Sequence, residues 1–126
     1  MKKPEYNLGD LMDKLSILSM KIYFGDEASI SEHRYLEKSL PAFGIDGKIT
    51  TQIIRLTLMN RMIWELENEM RKNSRDLEEM AQEELAQDGI KARRIRDLNR
   101  KRIEYKNILN EISKGFREHK IQHASQ

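Results

Sequence analysis

The chain has 126 residues, a formal net charge of +2, 35% charged and 38% hydrophobic residues, six glycines, two prolines and no cysteine. That length suits one domain with a single modest core, here residues 1–126. The balance suits long solvent-facing helices better than a sandwich or a disordered chain. Lack of cysteine excludes a disulfide framework, a thiolate nucleophile and Cys-ligated zinc or iron–sulfur, and fits a reducing cytoplasm.

The opening "MKKPEYNLGDLMDKLSILSM" is broken by Asp10, Asp13 and Lys14, so no signal peptide is expected, and no apolar run approaches the roughly 18 residues of a membrane span. Asn7 with Asp10 three positions on starts a helix that reaches about Phe24, ended by Gly25-Asp26. Ser29 with Glu32 has capping-box spacing and opens a short helix to about Leu40, which Pro41 stops; "AFGIDGK" reads as a loop. From about Thr50 a helix runs to Lys72. The "NS" at 73–74 offers a kink or a fresh cap before a segment to Gln87, Asp88-Gly89 breaks again, and a last helix runs from about Ile90 to Gly115, resuming to His119. The tail, 119–126, is expected to fray. The fold class is therefore all-α: a helical bundle of three long helical segments plus a short helix.

In the first helix Leu8, Leu11, Leu15, Leu18 and Ile22 share one face while Ile17, Met20 and Phe24 lie nearly opposite. Such a helix wants burial on two sides, in the middle of a bundle or against a second subunit, and a homodimer is expected. Asp13 falls on the Ile17 side, where a carboxylate needs a partner or a ligand. Charge also segregates: residues 65–88 carry nine acids against three bases, and 91–106 carry eight bases against Asp97 and Glu104. An acidic helix packed beside a basic one accounts for this. A nucleic-acid surface is not expected, because Tyr105 is the single aromatic in the basic run.

Two helices carry polar stripes. Asn60, Trp64, Glu67 and Arg71 are spaced by four, three and four residues, within roughly 60° of one another on a helix. They flank the apolar face of Met59, Ile63, Leu66 and Met70. In the last helix Asn99, Arg102, Lys106, Asn110 and Ser113 flank Leu98, Tyr105, Leu109, Ile112 and Phe116. If the apolar faces pack together, the stripes converge on one groove with Asp13 and Lys14 nearby. Four cations (Lys14, Arg71, Arg102, Lys106) against two carboxylates (Asp13, Glu67) favour a small anion, with Trp64 flanking a ring. The competing expectation is a closed salt-bridge network, since Glu67 and Arg71 form an i,i+4 pair that needs no ligand.

These stretches resemble a group of small bacterial proteins of unknown function found near surface-polysaccharide and glycosyltransferase genes. "LGDLMDKLSILSMKI" resembles their G-E-L-x-D-K-x-x-I-L-x-x-K opening, "NRMIWELENEMR" their N-x-x-L-W-E-I-E-D-x-x-R segment, and "LNRKRIEYKNILNEIS" their N-x-x-R-x-x-I-K-x-x-I-N-x-x-x-x-S segment. The resemblance covers about half of the chain. It implies site residues Gly9, Asp13, Lys14, Asn60, Trp64, Glu65, Glu67, Arg71, Asn99, Arg102 and Asn110, with Lys106 displaced by one position. Asp10 and Asn68 replace expected acids, and Ile121 stands where the pattern closes on an aromatic. The resemblance brings no established activity; it implies a role accessory to surface-polysaccharide metabolism.

The main alternative is an all-α, metal-dependent nucleotide (pyro)phosphohydrolase, which needs several converging carboxylates. Asp10/Asp13, Asp76/Glu79 and Glu79/Glu83 have suitable spacings, but they do not assemble into paired E-x-x-E and E-x-x-D helices. His119 and His123 in "HKIQH" lack the Glu of H-E-x-x-H, and His33 is expected in a solvated short helix. With no nucleophile elbow, Gly-rich phosphate loop or dinucleotide fingerprint, neither a cofactor nor a metal is implied, and nucleophilic catalysis is not expected. A binding or interaction protein is the favoured reading.

Overall fold

The computed structural model describes residues 6–72 and 81–125, with 115–125 as backbone alone. Within them the chain forms α1 (Leu8–Tyr23), α2 (Ser29–Glu37), a 3-10 turn (Leu40–Ala42), α3 (Gly47–Lys72) and α4 (Gln82–Ser125), with no strand among the described residues. This is an all-α bundle. The expected break at Asn73–Ser74 lies outside the described residues.

The helix starts are set by hydrogen bonds, local ones at α2 and α3 and a long-range one at α1. Asn7 is the N-cap of α1 but its side chain makes no cap bond; the free amides of Gly9 and Asp10 are met instead by Asn110 Oδ1 from α4, at 2.7 and 3.3 Å. The N-cap of α2 is Ala28 and not Ser29, and in the turn before it Asp26 accepts from the Ala28 amide and the Ser29 hydroxyl. Asp46 accepts from the Ile49 amide at 2.9 Å, so α3 begins at Gly47, three residues before the expected Thr50.

The last helix differs from its expectation. Continuous from Gln82 to Ser125, it passes Gly89 without a break and Gly115 without a stop, and its backbone stays helical through the tail. A glycine in a helix interior costs about 1 kcal/mol relative to alanine, and the Ala, Glu, Lys, Arg and Leu around Gly89 absorb that.

α1 is the central helix. Its contacts reach α2, α3 and α4, and Leu8, Leu11, Leu15 and Leu18 bury with Leu36, Phe43, Ile49, Leu56 and Leu109 in one core. The second face of α1 is also covered in part, with Met20 buried and Ile17 half-buried. α4 runs antiparallel to α3, since Glu69 meets Lys91 and Asn60 meets the same carboxylate as Arg102. Glu69–Lys91, at 3.5 Å, is one ion pair across the acidic and basic runs; Arg93, Arg94, Arg96, Arg100 and Lys101 are exposed. Phe116, His119 and His123 lie outside the described side chains.

Candidate functional site

The junction of α1, α3 and α4 is built around Asp13. Its position on α1, two residues from Leu11 and Leu15, turns it from the leucine face toward the seam between the other helices, where it is 6% exposed. Arg102 grips it in bidentate fashion, Nε to Oδ1 at 2.9 Å and Nη2 to Oδ2 at 2.6 Å. Asn60 Nδ2 donates to Oδ1 at 2.9 Å and also lies 3.4 Å from Ser16 Oγ. Asn99, one turn before Arg102 on α4, accepts from Arg102 Nη1 at 3.3 Å.

Burial by itself pushes the Asp13 carboxyl up. Hydrogen bonds from Arg102 and Asn60, with the positive charges of Arg102 and Lys106, outweigh burial and hold it below the usual carboxylate range. The hydrogen bond to Asp13 raises Arg102 in turn, against its own burial and with help from the charges of Asp13 and Glu67. Both groups are held firmly in their charged forms, the opposite of an acid or base poised near neutrality.

A second node lies one and two turns further along α4. Asn110 caps α1 through Gly9 and Asp10, and Lys106 Nζ lies 3.5 Å from Asp10 Oδ1. The two helices meet closely enough that a side chain at Gly9 would collide with the Lys106 carbonyl oxygen and come within 2.6 Å of Asn110 Oδ1. Gly9 is there because nothing larger fits between α1 and α4.

Of the residues the sequence singles out, Asp13, Asn60, Asn99 and Arg102 form one network, with Lys106 and Asn110 adjoining it and Glu67 close enough for its charge to act on Arg102. Others stand apart. Arg71 reaches only Glu67, at 3.6 Å, with its side chain 71% exposed. Lys14 is exposed over the Tyr6 ring, at 5.3 Å. Trp64 stacks on Phe24, centroids 5.8 Å apart and planes 14° from parallel, and its Nε1 is buried without a hydrogen-bond partner among the described residues. Glu65 pairs with Arg61 at 2.9 Å.

The charge count changes with the geometry. Lys14 stands apart and Asp10 joins the cluster, so the remaining three cations pair with three carboxylates, Asp13 with Arg102, Asp10 with Lys106 and Glu67 with Arg71, and the expected excess of cations gives way to balance. The sequence offers Asp10 as a helix-start acid and as a carboxylate spaced with Asp13, but not as a partner for Lys106; its place one turn before Asp13 and Lys14 is the available signal. Among the described residues no three His, Asp or Glu side chains are grouped so as to hold a metal ion, while Asp76 and Glu79 lie outside them.

Comparison with known proteins finds no matching family model, no matching curated protein and no matching solved structure.

Proposed function

We propose that the chain is a helical binding module taking a small anionic ligand along the Asn99, Arg102, Lys106 and Asn110 stripe, where α4 borders α1 and α3. The observation that supports this is an imbalance of donors over acceptors. Asp13 accepts three bonds, and the Oδ1 atoms of Asn99 and Asn110 are spent on Arg102 and on the α1 amides. The Lys106 ammonium has three N–H groups against one carboxylate oxygen 3.5 Å away, and the side-chain amide N–H groups of Asn99 and Asn110 make none of these bonds. A phosphate or carboxylate supplies several acceptors at one point. Because the ion pairs balance, recognition rests on placed donors rather than on net charge.

The resemblance to proteins encoded near polysaccharide genes makes sugar phosphates the first ligand class to try. Melting of the parent, Lys106→Met and Arg71→Met is followed across added phosphate, sugar phosphates and nucleotides. An anion at 100 times its dissociation constant stabilises the parent by about 2.7 kcal/mol. The shift disappears in Lys106→Met and persists in Arg71→Met, whose guanidinium stands apart. If no anion raises the melting temperature of the parent, the cluster is a clasp between helices and the binding reading is wrong.

The same reading includes a homodimer. Ile54 and Leu58, one turn apart on α3, are 55% and 53% exposed and form an apolar strip for a second copy. Sedimentation at high concentration is expected to give twice the 15.0 kDa chain mass, and a monomer mass would count against it.

A further inference from the structure

On the side of α1 that α2 covers, three side chains outside the Asp13 cluster stand in line. Ser19 Oγ of α1 lies 3.0 Å from His33 Nε2 of α2, and His33 Nδ1 lies 3.7 Å from Glu37 Oε2. His33 and Glu37 are four residues apart on α2, so they share its face, and that face is laid against Ser19 by the buried Ser29 and Leu36 at either end of the helix. One imidazole nitrogen faces a hydroxyl and the other a carboxylate. That is the order of nucleophile, base and orienting acid, recognised by geometry and not by sequence position.

The setting has room for a substrate. Ser19, His33 and Glu37 line two open, adjoining surface grooves of about 420 and 480 Å³, and the first has Met12, Leu15, Met20, Tyr23 and Leu40 in its wall. Ser19 is exposed and His33 half-buried, so a ligand in the groove reaches the hydroxyl. Arg61 lines the first groove, its Nε bonded to Glu65, and its guanidinium brings further N–H donors to the wall.

The geometry points to a serine acyl-transfer centre in which Ser19 is the nucleophile, His33 the general base and Glu37 a positioning residue, acting on esters with a short apolar acyl chain. Ser19 Oγ attacks the ester carbonyl carbon and its proton passes to His33 Nε2. The carbon–oxygen bond to the leaving alcohol then breaks, and that oxygen takes the proton from His33. Water, deprotonated by His33, attacks the acyl-serine and releases the carboxylic acid, returning the proton to Ser19. Glu37 faces Nδ1 of the imidazole and keeps Nε2 turned to the hydroxyl. Its 3.7 Å separation is longer than a hydrogen bond, and the assignment requires Glu37 to close on Nδ1 when substrate binds in the groove.

The test uses the full chain with p-nitrophenyl butyrate and with a fluorophosphonate probe. Intact-mass and peptide analysis is expected to place one phosphonyl group on Ser19, and ester hydrolysis should exceed that of buffer and of free imidazole. His33→Gln lowers the rate by about 100-fold, the lower range for loss of a general base. Ser19→Ala abolishes both labelling and turnover. Ser19→Cys, which keeps the side-chain shape, accumulates an acyl-thioester detectable by mass, and circular dichroism of each variant separates lost chemistry from lost fold. Hydrolysis retained in a folded Ser19→Ala, labelling elsewhere than Ser19, or a parent rate no higher than imidazole overturns the assignment.

Discussion

Asp13 is almost wholly out of water, yet it stays ionised because Arg102 and Asn60 replace the water it loses. Its carboxyl is lowered from its ordinary value of 3.8, so the folded chain binds that proton less readily than the unfolded one. The resulting stabilisation is fully present above about pH 4 and is lost as the pH falls through the lowered folded value. Urea unfolding at pH 6 and at pH 3 is expected to show the parent losing stability on acidification. In Arg102→Met only the Asn60 hydrogen bond and the charge of Lys106 remain to oppose burial, and this acid-labile contribution shrinks. That variant strands a charge in the seam and is expected to lose about 3 kcal/mol at pH 7. Arg71→Met, which removes only an exposed i,i+4 partner, is expected to lose less than about 0.5 kcal/mol in the same measurement.

At the level of the helices, two helical glycines behave oppositely. Gly9 sits where α1 touches α4, and Gly9→Ala, forcing the helices apart at the Asn110 cap, is expected to cost about 2–3 kcal/mol in urea unfolding. Gly89 has open space where a side chain would go, so Gly89→Ala is expected to stabilise by about 0.5–1 kcal/mol through helix propensity alone. Sequence reasoning took Gly89 for a break and Gly9 as part of a motif; which glycine matters depends on the partner helix, a contact that joins residues about 100 apart and leaves no local trace. The helices themselves were legible because their apolar spacing is local, and so was the need for Asp13 to find a partner. Which cation it would find was not. Arg102 and Lys106 stand on one stripe, and only the register of α1 against α4 assigns the first to Asp13 and the second to Asp10. The pairing of Ser19 with His33 was missed for the same reason, since it joins α1 to α2 across a turn whose geometry their own sequence spacing does not reveal.

Over the whole molecule, α1 is wrapped by the other three helices and the polar cluster lies where it meets α3 and α4, so the cluster and the core share a scaffold. Stability is uneven along α4: Leu98, Leu109 and Ser113 are buried, whereas Leu85 and Ile90 in its first turns are exposed. Amide exchange is expected to be slowest between residues 98 and 113 and faster from 82 to 90; uniform protection along the helix would mean that its first turns are covered by a partner. Ligand binding at the stripe should slow the protected segment further, because the ligand adds bonds between α4 and the start of α1. The decisive observation is a titration of isotope-labelled protein with inorganic phosphate and glucose 1-phosphate, followed at the Asn99 and Asn110 side-chain amides and at Arg102 Nε. Binding at the stripe predicts that these signals shift together and saturate with one dissociation constant. Shifts confined to the exposed Arg93, Arg96 and Arg100, rising without saturation, would show that anions meet only surface charge and that the Asn99–Asn110 stripe is not a binding site.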